Sequence, residues 1–538
     1  MVQDDIAKNF REHSIAEFFK KNKQMLGFSG KVRSMTTIVH ELVTNSMDAA
    51  EENGILPEII VKIEELDKDH YRVFVEDNGP GLPKTLIGKA LGQMLAGTKF
   101  HRYIQQRGQQ GIGCSACTMY ALLTTGKTVH AISYYKGKKV ECNVGINFKN
   151  NRAELIDLTE EDCDQEKHGL TYIGEFKEVR YERSNYGVYE YLRRTALANP
   201  HIKLELTEPN GEFVLFPRSV DQNPHHPKEV QPHPLGIGAH DLLDMAKREK
   251  DSTKISSFLQ NALTRVSANK IKELEAIVSD LDFNKNPMEL SWEEAEKLVK
   301  AFKEVKWIAP ATDSIVPIGK EQVEKSFQNI FNPEFLIVTE RNPKIYQGGI
   351  AFAVEAAIAF GGGVQESGKK GEVMRFANRV PLLFDSGGCA ITETVKSVDW
   401  KRYNLKDFEE EPIVVLVNLV SVYVPYTTAG KQAISQEEEI MDEIKNTVME
   451  SARKIQVHIS GKRRAHEIAH KKKLIERYVE QLASDLASLS ETKNEKGIKE
   501  KLMKIVEEKY TSNLTNEDDE EENQENEPEQ EEIGEDNE

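Results

Sequence analysis

The sequence predicts a chain of several domains in the α/β (α+β) class, and three observations support this. Its 538 residues exceed what one ordinary core organises, since a domain commonly holds roughly 150 residues. Segments with helical periodicity alternate with segments rich in β-branched residues along most of the chain. A proline-rich stretch with Pro224, Pro227, Pro232 and Pro234 interrupts this alternation and marks the best domain boundary.

Composition argues against a membrane or secreted protein. Hydrophobic residues make up 39% of the chain, and no apolar run approaches the ~20 residues that a membrane helix needs. The opening residues, MVQDDIAKNFREH, contain acids and no apolar segment, so we expect a cytoplasmic protein without a membrane partner. Five cysteines are too few for a disulfide framework, and the Cys114–Cys117 pair lacks a second pair that would complete a zinc site.

The charge of the chain is concentrated at its carboxyl end. The formal net charge is −18, and the segment from Glu517 to Glu538 contains 14 acidic and no basic residues, so the remainder carries −18 + 14 = −4. Such a run cannot bury apolar surface, and we expect a disordered, solubilising tail. The body of the chain is therefore close to neutral and compatible with a nucleic-acid partner.

The elements before the proline-rich boundary follow from periodicity. Residues from Lys31 to Glu52 are predicted as a helix, and a second helix is predicted from Ser115 to Leu123. The predicted strands are Glu58 to Glu64, Tyr71 to Glu76, Val129 to Tyr134, Val140 to Ile146, Ala153 to Leu158 and Leu170 to Glu178.

After the boundary the pattern is first helical, from Ala239 to Phe302, and then mixed. Predicted strands are Phe335 to Val338, Ile350 to Phe360, Val380 to Phe384 and Ile413 to Val424, the last being apolar enough to be buried on both faces. A long helix with a narrow apolar stripe is predicted from Glu437 to Leu486.

The first helix carries a polar face whose side chains could bind a ligand or take part in catalysis. Glu41, Asn45 and Asp48 stand at i, i+4 and i+7, so a carboxylate and an amide point the same way. Taken alone, this pattern is most often an ordinary solvated helix face.

Two glycine motifs follow that helix. Asp77 lies at the mouth of the turn Glu76-Asp77-Asn78-Gly79-Pro80-Gly81, which by itself could be an ordinary Asn-Gly turn. The segment from Arg107 to Ser115, RGQQGIGCS, runs glycines into a predicted helix, where exposed amides and the positive helix end suit polyphosphate. It lacks the G-K-[ST] of a Walker loop and does not follow a strand as a Rossmann motif does.

In this order and spacing the three elements resemble the Bergerat ATP-binding fold of the GHKL superfamily. Five stretches further resemble the B subunits of archaeal topoisomerase VI: ELVTNSMDA, VEDNGPGLP, GTKFHRYIQQRGQQGIG, LLTTGK and YTTAGKQAI. The resemblance implies a Bergerat ATPase sandwich with an amino-terminal strap over residues 1–225 and a helix-two-turns-helix domain over 226–310. It also implies an α/β transducer domain ending in a long helix over 311–488, with 489–538 as a carboxy-terminal segment.

The same resemblance implies roles for individual residues. Glu41 would be the general base, Asn45 would coordinate Mg²⁺, and Lys431 would leave the transducer to touch the γ-phosphate of ATP. Asp77 would accept a hydrogen bond from the adenine amino group. The other nucleotide contacts would be Gly79, Gly81, Thr98, Lys99, Gly108, Gln109, Gln110, Gly111, Ile112, Gly113, Cys114, Ser115 and Thr171. For Thr171, a buried strand residue without a role is an equal alternative.

The implied partners are the A subunit of topoisomerase VI, in an A2B2 heterotetramer, and double-stranded DNA, with a second copy of this chain joining when ATP binds. DNA cleavage is expected to belong to the A subunit. A basic group on the long helix fits either a solvated face or DNA steering: Lys462, Arg463, Arg464, Lys471, Lys472 and Lys473. The rival interpretations are a chaperone or MutL-type clamp ATPase, a histidine kinase, and a nucleotide-responsive scaffold without catalysis.

Overall fold

The computed structural model describes residues 21, 23–24, 26–97, 103–108, 111–147, 150–310, 312, 314–428, 430–490 and 494–508. The chain divides into two compact units between Arg453 and Lys454. Thr98, Lys99, Gln109, Gln110, the acidic tail and most of the expected strap lie outside the described residues.

The first unit opens with an eight-stranded sheet covered by helices. Its elements are α1 (Lys31–Glu52), β1 (Glu58–Asp67), β2 (His70–Asp77), α2 (Lys84–Gly92), α3 (Gly113–Thr125), β3 (Val129–Tyr135), β4 (Lys138–Asn147), β5 (Arg152–Asp162), β6 (Gly169–Lys177), α4 (Val188–Ala198), β7 (Lys203–Thr207) and β8 (Phe213–Phe216). The strand order is β5-β4-β3-β6-β2-β1-β7-β8, and all neighbouring pairs are antiparallel except β1 with β7. Every strand and both helices predicted here are confirmed, with ends moved by a few residues.

Side chains along β2 point alternately to the two faces of the sheet, and this alternation positions Asp77. On β2, Tyr71, Val73, Val75 and Asp77 are buried, so the acid occupies the last position on the core-facing side of the strand. Helices α1 and α3 pack against this side and against each other. The end of β2 therefore opens between two helices, at the edge of one continuous apolar core.

A small helical body follows and has its own core. It contains α5 (Ala239–Arg248), α6 (Ile255–Ala262), α7 (Ala268–Ile277) and α8 (Trp292–Glu304). Leu242, Phe258, Leu259, Leu298 and Phe302 are fully buried at its centre. The amphipathic spacing of these residues explains why four short helices are stable together although each is too short to be stable alone.

A second sheet completes the first unit. Its elements are α9 (Lys320–Phe331), β9 (Phe335–Glu340), β10 (Lys344–Tyr346), β11 (Ile350–Phe360), α10 (Gly363–Glu366), β12 (Glu372–Ala377), β13 (Val380–Pro381), α11 (Ala390–Ser397) and β14 (Ile413–Ser421). The order is β10-β11-β14-β12-β13, and β9 also pairs with β11. Every residue of β14 is buried, as its apolar run predicts.

One predicted strand in this sheet is wrong over most of its length. Only Val380 and Pro381 of the expected segment from Val380 to Phe384 form a strand. The pairing extends one bond further, since Leu382 N donates to Arg375 O at 2.8 Å. The chain then turns away, and Leu383 and Phe384 enter the core of the first sheet instead. Their hydrophobicity thus serves a long-range contact, which a local pattern cannot distinguish from strand burial.

The long helix α12 runs over Glu438–Leu489, close to its predicted range. Ile440, Ile444, Val448 and Ala452 of its predicted apolar stripe are fully buried within the first unit. Residues 495–508 form a further helix. Among the described residues, no helix has the length and apolarity to cross a membrane.

Candidate nucleotide site

The accessible face of α1 carries Glu41 and Asn45, as the spacing predicts. Asn45 is exposed and Glu41 is half-buried, whereas their neighbours from Leu42 to Thr44 are buried. Asp48 lies on the same side of the helix, but it is buried because Arg107 covers it, with Arg107 Nη1 donating to Asp48 Oδ1 at 2.8 Å. The face open to a ligand therefore offers one carboxylate and one amide.

The carboxylate of Glu41 lies against the amino end of α3. A Cβ placed on Gly113, the first residue of α3, would lie 1.8 Å from Glu41 Oε2 and 2.6 Å from Glu41 Cδ. Only glycine leaves room for this carboxylate. The amino end of a helix presents unpaired N–H groups and a partial positive charge, which is the environment that a phosphate needs. The Glu41 carboxylate thus lies beside the amino end of α3.

Replacing Gly113 with alanine is expected to lower ATP turnover by about tenfold to a hundredfold, because the methyl group must displace the Glu41 carboxylate and small misplacements of a reacting group are costly. The change should leave the helix intact, since alanine favours helices. Gly387→Ala is the matched control, since a Cβ at Gly387 meets nothing within 4 Å. Steady-state hydrolysis and thermal unfolding of both variants measure the effect. Wild-type turnover in Gly113→Ala would contradict this placement of Glu41.

Asp77 is held at the end of β2 by three donors. Ser46 Oγ donates to Oδ2 at 2.7 Å, and the backbone N–H groups of Gly79 and Leu170 donate to Oδ1 at 2.9 and 3.3 Å. The side chain is only 8% exposed, and burial raises the pKa of Asp77 against the opposing effect of these hydrogen bonds. The Asp77 carboxylate is therefore fixed in one orientation and cannot turn towards solvent without losing these hydrogen bonds.

The glycines after Asp77 allow three chain segments to meet. A Cβ on Gly81, whose φ is +72°, would lie 2.0 Å from the carbonyl oxygen of Tyr134. A Cβ on Gly79 would lie 2.9 Å from Asp77 Oδ1. The turn is tied to β3 because Leu82 N donates to Ser133 Oγ at 2.7 Å and that hydroxyl donates to Leu82 O at 2.9 Å. Gly81 thus lets the turn lie directly against β3, and Gly79 leaves room for the Asp77 carboxylate.

Thr171 is not brought to this pocket. In the β2–β6 register Leu170 lies opposite Asp77, whereas Thr171 lies opposite Glu76, and directly opposed residues share a sheet face. The Thr171 hydroxyl accordingly donates to Glu76 Oε2, 3.4 Å away, on the face opposite to Asp77. The geometry favours the alternative of a buried strand threonine, and a one-residue offset along β6 accounts for the difference.

The glycine-rich segment is described at both of its ends. Gly108 and Gly111 flank the undescribed pair, and Gly111 has a φ of +58°, which favours glycine. Ile112 precedes α3, and Ser115 Oγ donates to Ile112 O at 2.9 Å. The hydroxyl of Ser115 is therefore hydrogen-bonded within the first turn of α3.

Cys114 lies directly beside Glu41. Burial, aided by the Glu41 charge, raises the pKa of Cys114 to about 12, and burial also raises the pKa of Cys117. Both thiols are free, and the described residues contain no group of three His, Cys, Asp or Glu side chains placed to hold a metal. Cys117 belongs to the apolar core of the first sheet, and Cys114 packs against that core.

Lys431, in the loop after β14, reaches the beginning of the glycine-rich segment. Its Nζ donates to the carbonyl oxygen of Arg107 at 3.3 Å. Burial lowers the pKa of His40, the neighbouring Glu41 charge raises it, and the Lys431 charge lowers it further. Gln432 anchors the loop, since Arg375 Nη1 donates to its carbonyl oxygen and Phe384 N donates to its Oε1.

Several residues of the site were not found from the sequence. Ser46, His168 and Leu170 all contact the Asp77 turn, with His168 Nδ1 lying 2.9 Å from Gly79 O. The serine follows Asn45 on α1, but nothing in local spacing links it to an acid 31 residues later. Arg107 opens the glycine motif, and its carboxylate partners are likewise remote.

Comparison with known proteins identifies the family. Residues 30–148 match the family described as histidine kinase-, DNA gyrase B-, and HSP90-like ATPase, and residues 310–472 match the topoisomerase VI B subunit transducer. The B subunit of type 2 DNA topoisomerase 6 from Pyrococcus horikoshii is 43% identical over 549 residues, covering 94% of this chain and 96% of that relative. The chain belongs to the family of type 2 DNA topoisomerase 6 B subunits.

Other topoisomerase 6 B subunits agree. That of Methanothermobacter thermautotrophicus is 47% identical over 491 residues, covering 90% of this chain and 93% of the relative. That of Thermococcus onnurineus is 41% identical over 546 residues, covering 94% and 96%. Membership of this family confirms the resemblance found in the sequence. Glu41, Asn45 and Asp77 lie in the ATPase match, and Lys431 lies in the transducer match.

Proposed function

We propose that this chain is the ATP-hydrolysing subunit of a type II DNA topoisomerase. ATP would drive two copies of the chain together into a closed clamp, while the A subunit, in an A2B2 heterotetramer, would cut double-stranded DNA. The observation that carries this proposal is the 3.3 Å contact between Lys431 of the transducer segment and Arg107, the first residue of the glycine-rich segment. Such a contact gives the transducer a direct means of responding to the nucleotide.

The substrate of hydrolysis would be ATP with Mg²⁺. Asn45 would supply an amide oxygen to the metal, which suits magnesium because this ion prefers oxygen ligands and shares them with phosphates and water. Asn45 is the exposed side chain beside Glu41, and the described residues offer no ready cluster of three acidic ligands, so nucleotide phosphates must complete the shell. The metal would neutralise phosphate charge in the transition state.

Glu41 would act as the general base. A water in line with the γ-phosphate would lose its proton to the Glu41 carboxylate as its oxygen bonds to phosphorus and the bridging bond to ADP breaks. Backbone amides from Gly108 to Ser115, together with Thr98 and Lys99, would surround the phosphates. Asp77 would accept from the adenine amino group, a contact that guanine, which has a carbonyl at that position, cannot make.

The mechanical cycle would be a population shift. ATP would make contacts in the closed dimer that are absent in the open one, and hydrolysis would remove them. We propose the domain boundaries implied by the resemblance: 1–225 for the ATPase and strap, 226–310 for the helical domain, 311–488 for the transducer and 489–538 for the remaining segment. The exposed Arg463, which lies 3.2 Å from Glu467, and its basic neighbours on α12 would face DNA or solvent.

A plasmid assay tests the whole proposal. The chain is mixed with its candidate A subunit, ATP, Mg²⁺ and supercoiled plasmid, and relaxation is followed on gels, with each component omitted in turn. We expect relaxation only from the complete mixture and no DNA cleavage by this chain alone. Relaxation without nucleotide, or cleavage in mixtures that lack the A subunit, would overturn the proposal.

Lys431→Ala is expected to lower ATP hydrolysis and ATP-dependent relaxation by about tenfold while leaving ADP affinity unchanged. A buried hydrogen bond from a charged group contributes about 1.5–3 kcal/mol, and about 1.4 kcal/mol corresponds to a factor of ten. Only the triphosphate offers the γ-phosphate that this lysine would contact. Competition of ATP and ADP against a fluorescent nucleotide measures the difference, with exposed Lys406→Ala as the matched control. An equal loss of affinity for both nucleotides would argue against a γ-phosphate contact.

A further inference from the structure

A buried charge cluster lies behind the nucleotide face of α1. The guanidinium of Arg107 donates through Nη1 to Asp48 at 2.8 Å and to Glu51 Oε2 at 2.9 Å, and through Nη2 to Glu51 Oε1 at 2.8 Å. Nη2 also donates to Asn199 Oδ1 at 2.7 Å. His201 Nε2 lies 2.7 Å from Glu51 Oε1. Arg107 is 8% exposed, so this fork is enclosed within the protein.

The charges and geometry of the cluster require an arginine at position 107. Burial alone would raise the pKa of Glu51, but Arg107 and His201 outweigh it and hold that pKa well below its usual range. Burial opposes the charge of Arg107, yet Glu51 and Asp48 raise the pKa of its guanidinium above the ordinary value. A planar fork can serve both carboxylates and an amide at once, whereas a lysine ammonium cannot reproduce that geometry.

Residues 105–107, which lead into the glycine-rich segment, are also bonded to the second sheet and to the residues that precede it. Gln105 Nε2 donates to Val316 O at 2.9 Å, and Val316 N donates back to Gln105 Oε1 at 2.6 Å. Asn378 Nδ2 donates to the carbonyl oxygen of Gln106 at 3.1 Å. The side chain of Asn199, which accepts from Arg107, donates to Arg379 O at 3.0 Å. Residues 105–107 therefore join the ATPase segment to the transducer segment.

Lys431 completes this arrangement. Its ammonium contacts the carbonyl oxygen of Arg107, the residue whose side chain is fixed to α1. A γ-phosphate in the site would compete with that carbonyl for the same ammonium. The position of the Arg107 carbonyl group thus depends on three contacts: with α1, with the transducer segment and with Lys431.

We propose that Arg107 is a positioning residue for ATP hydrolysis. Its side chain fixes residues 105–107 to α1, so that its carbonyl oxygen holds Lys431 in position to move to the γ-phosphate. Gln105 and Asn378 couple that movement to the transducer segment. This inference rests on the proposed function, because it deepens the role given there to Lys431. It assigns Arg107 no contact with the reacting atoms.

The test compares four full-length variants, together with Lys431→Ala alone, with wild type. Arg107→Lys keeps the buried charge and loses the fork, and Gln105→Ala weakens the link to Val316 without touching any charge. Arg72→Lys is the matched control, because Arg72 also bridges two carboxylates, Glu64 and Glu175, but on the exposed side of the sheet. The fourth variant combines Arg107→Lys with Lys431→Ala.

Each variant is assayed for thermal unfolding, affinity for a fluorescent ATP analogue, kcat, and dimer formation with a non-hydrolysable ATP analogue. Arg107→Lys should lower kcat and dimer yield by about tenfold while affinity changes by less than about threefold. Gln105→Ala should act in the same direction by about threefold, and Arg72→Lys should match wild type. In the Lys431→Ala background, Arg107→Lys should add no further loss, because residues that act through one contact are not additive.

Two outcomes would overturn the inference. If Arg107→Lys lowers the unfolding temperature and reduces affinity and kcat in equal proportion, Arg107 is only a structural staple. If its effect is undiminished in the Lys431→Ala background, it does not act through the lysine. By contrast, full turnover and dimerisation in Lys431→Ala alone would remove the sensor role in the proposed function, so the two failures are distinguishable.

Discussion

Replacing Glu41 with glutamine is expected to lower ATP turnover by about 10²–10⁴-fold, the range that a positioned general base contributes. Glutamine has nearly the same shape, so it can occupy the space that Gly113 leaves, but its amide cannot accept the proton of the attacking water. Nucleotide binding should persist, because the contacts proposed for the base and the phosphates remain. The variant should therefore accumulate in the ATP-bound, dimeric state.

Single-turnover hydrolysis separates this loss from a defect in binding, and size-exclusion chromatography with ATP reports the trapped dimer. Glu52→Gln is the matched control, since Glu52 is an exposed carboxylate near the end of the same helix. Glu41→Gln that hydrolyses ATP at the wild-type rate would exclude Glu41 as the base. Loss of both binding and turnover would instead indicate that the carboxylate is needed for the pocket itself.

Local chemistry explains why so much of the site could be predicted from the sequence. Glu41 and Asn45 share a helix face because their spacing is one turn, and the range of α1 follows from its apolar periodicity. Asp77 ends a strand whose alternate residues are buried, and a glycine turn must follow it. Residues close in sequence determine these elements, so their geometry can be predicted without knowing the tertiary contacts.

The remaining features depend on partners that are distant in sequence. Arg107 meets Glu51 across 56 positions, and Leu383 leaves an expected strand to enter another core. Thr171 illustrates the sharpest limit, because strand register decides which face a residue occupies and a shift of one position reverses it. Leu170, the neighbour without a polar group, lies opposite Asp77 for that reason.

The structure shows which glycines of the two motifs are needed because another atom lies too close for a Cβ, and the sequence pattern alone does not show this. Gly81 and Gly113 each face an atom that a Cβ would overlap, a backbone carbonyl in one case and the candidate base in the other. Gly108 meets only Asp48 Oδ2, at 4.0 Å from its hypothetical Cβ. Equivalent letters in the motif thus differ in how strictly they require glycine.

Asp77→Asn is expected to weaken ATP binding by about a hundredfold and to narrow the preference for ATP over GTP. Asp77 accepts from Ser46, Gly79 and Leu170 and would accept from the adenine amino group as well. The asparagine oxygen can keep the two backbone bonds on Oδ1, but its NH₂ group then replaces the oxygen that faces Ser46. Ser46 can rotate its hydroxyl to accept from this NH₂ group, but the adenine amino group can only donate, so at the base a donor would meet a donor. An unsatisfied buried group costs about 1–3 kcal/mol in addition to the lost contact. About 2.8 kcal/mol corresponds to a factor of a hundred.

Competition of ATP and GTP against a fluorescent nucleotide measures both effects in one titration series. Asp67→Asn is the matched control, because Asp67 also ends a strand of the first sheet and also accepts a backbone N–H, from Lys68 at 2.7 Å, but at an exposed position. If Asp77→Asn binds ATP with wild-type affinity and still rejects GTP, the adenine amino group is recognised elsewhere. Because Ser46 can rotate its hydroxyl to accept from the new amide, the fold itself should tolerate the change, and the loss can be assigned to the base contact.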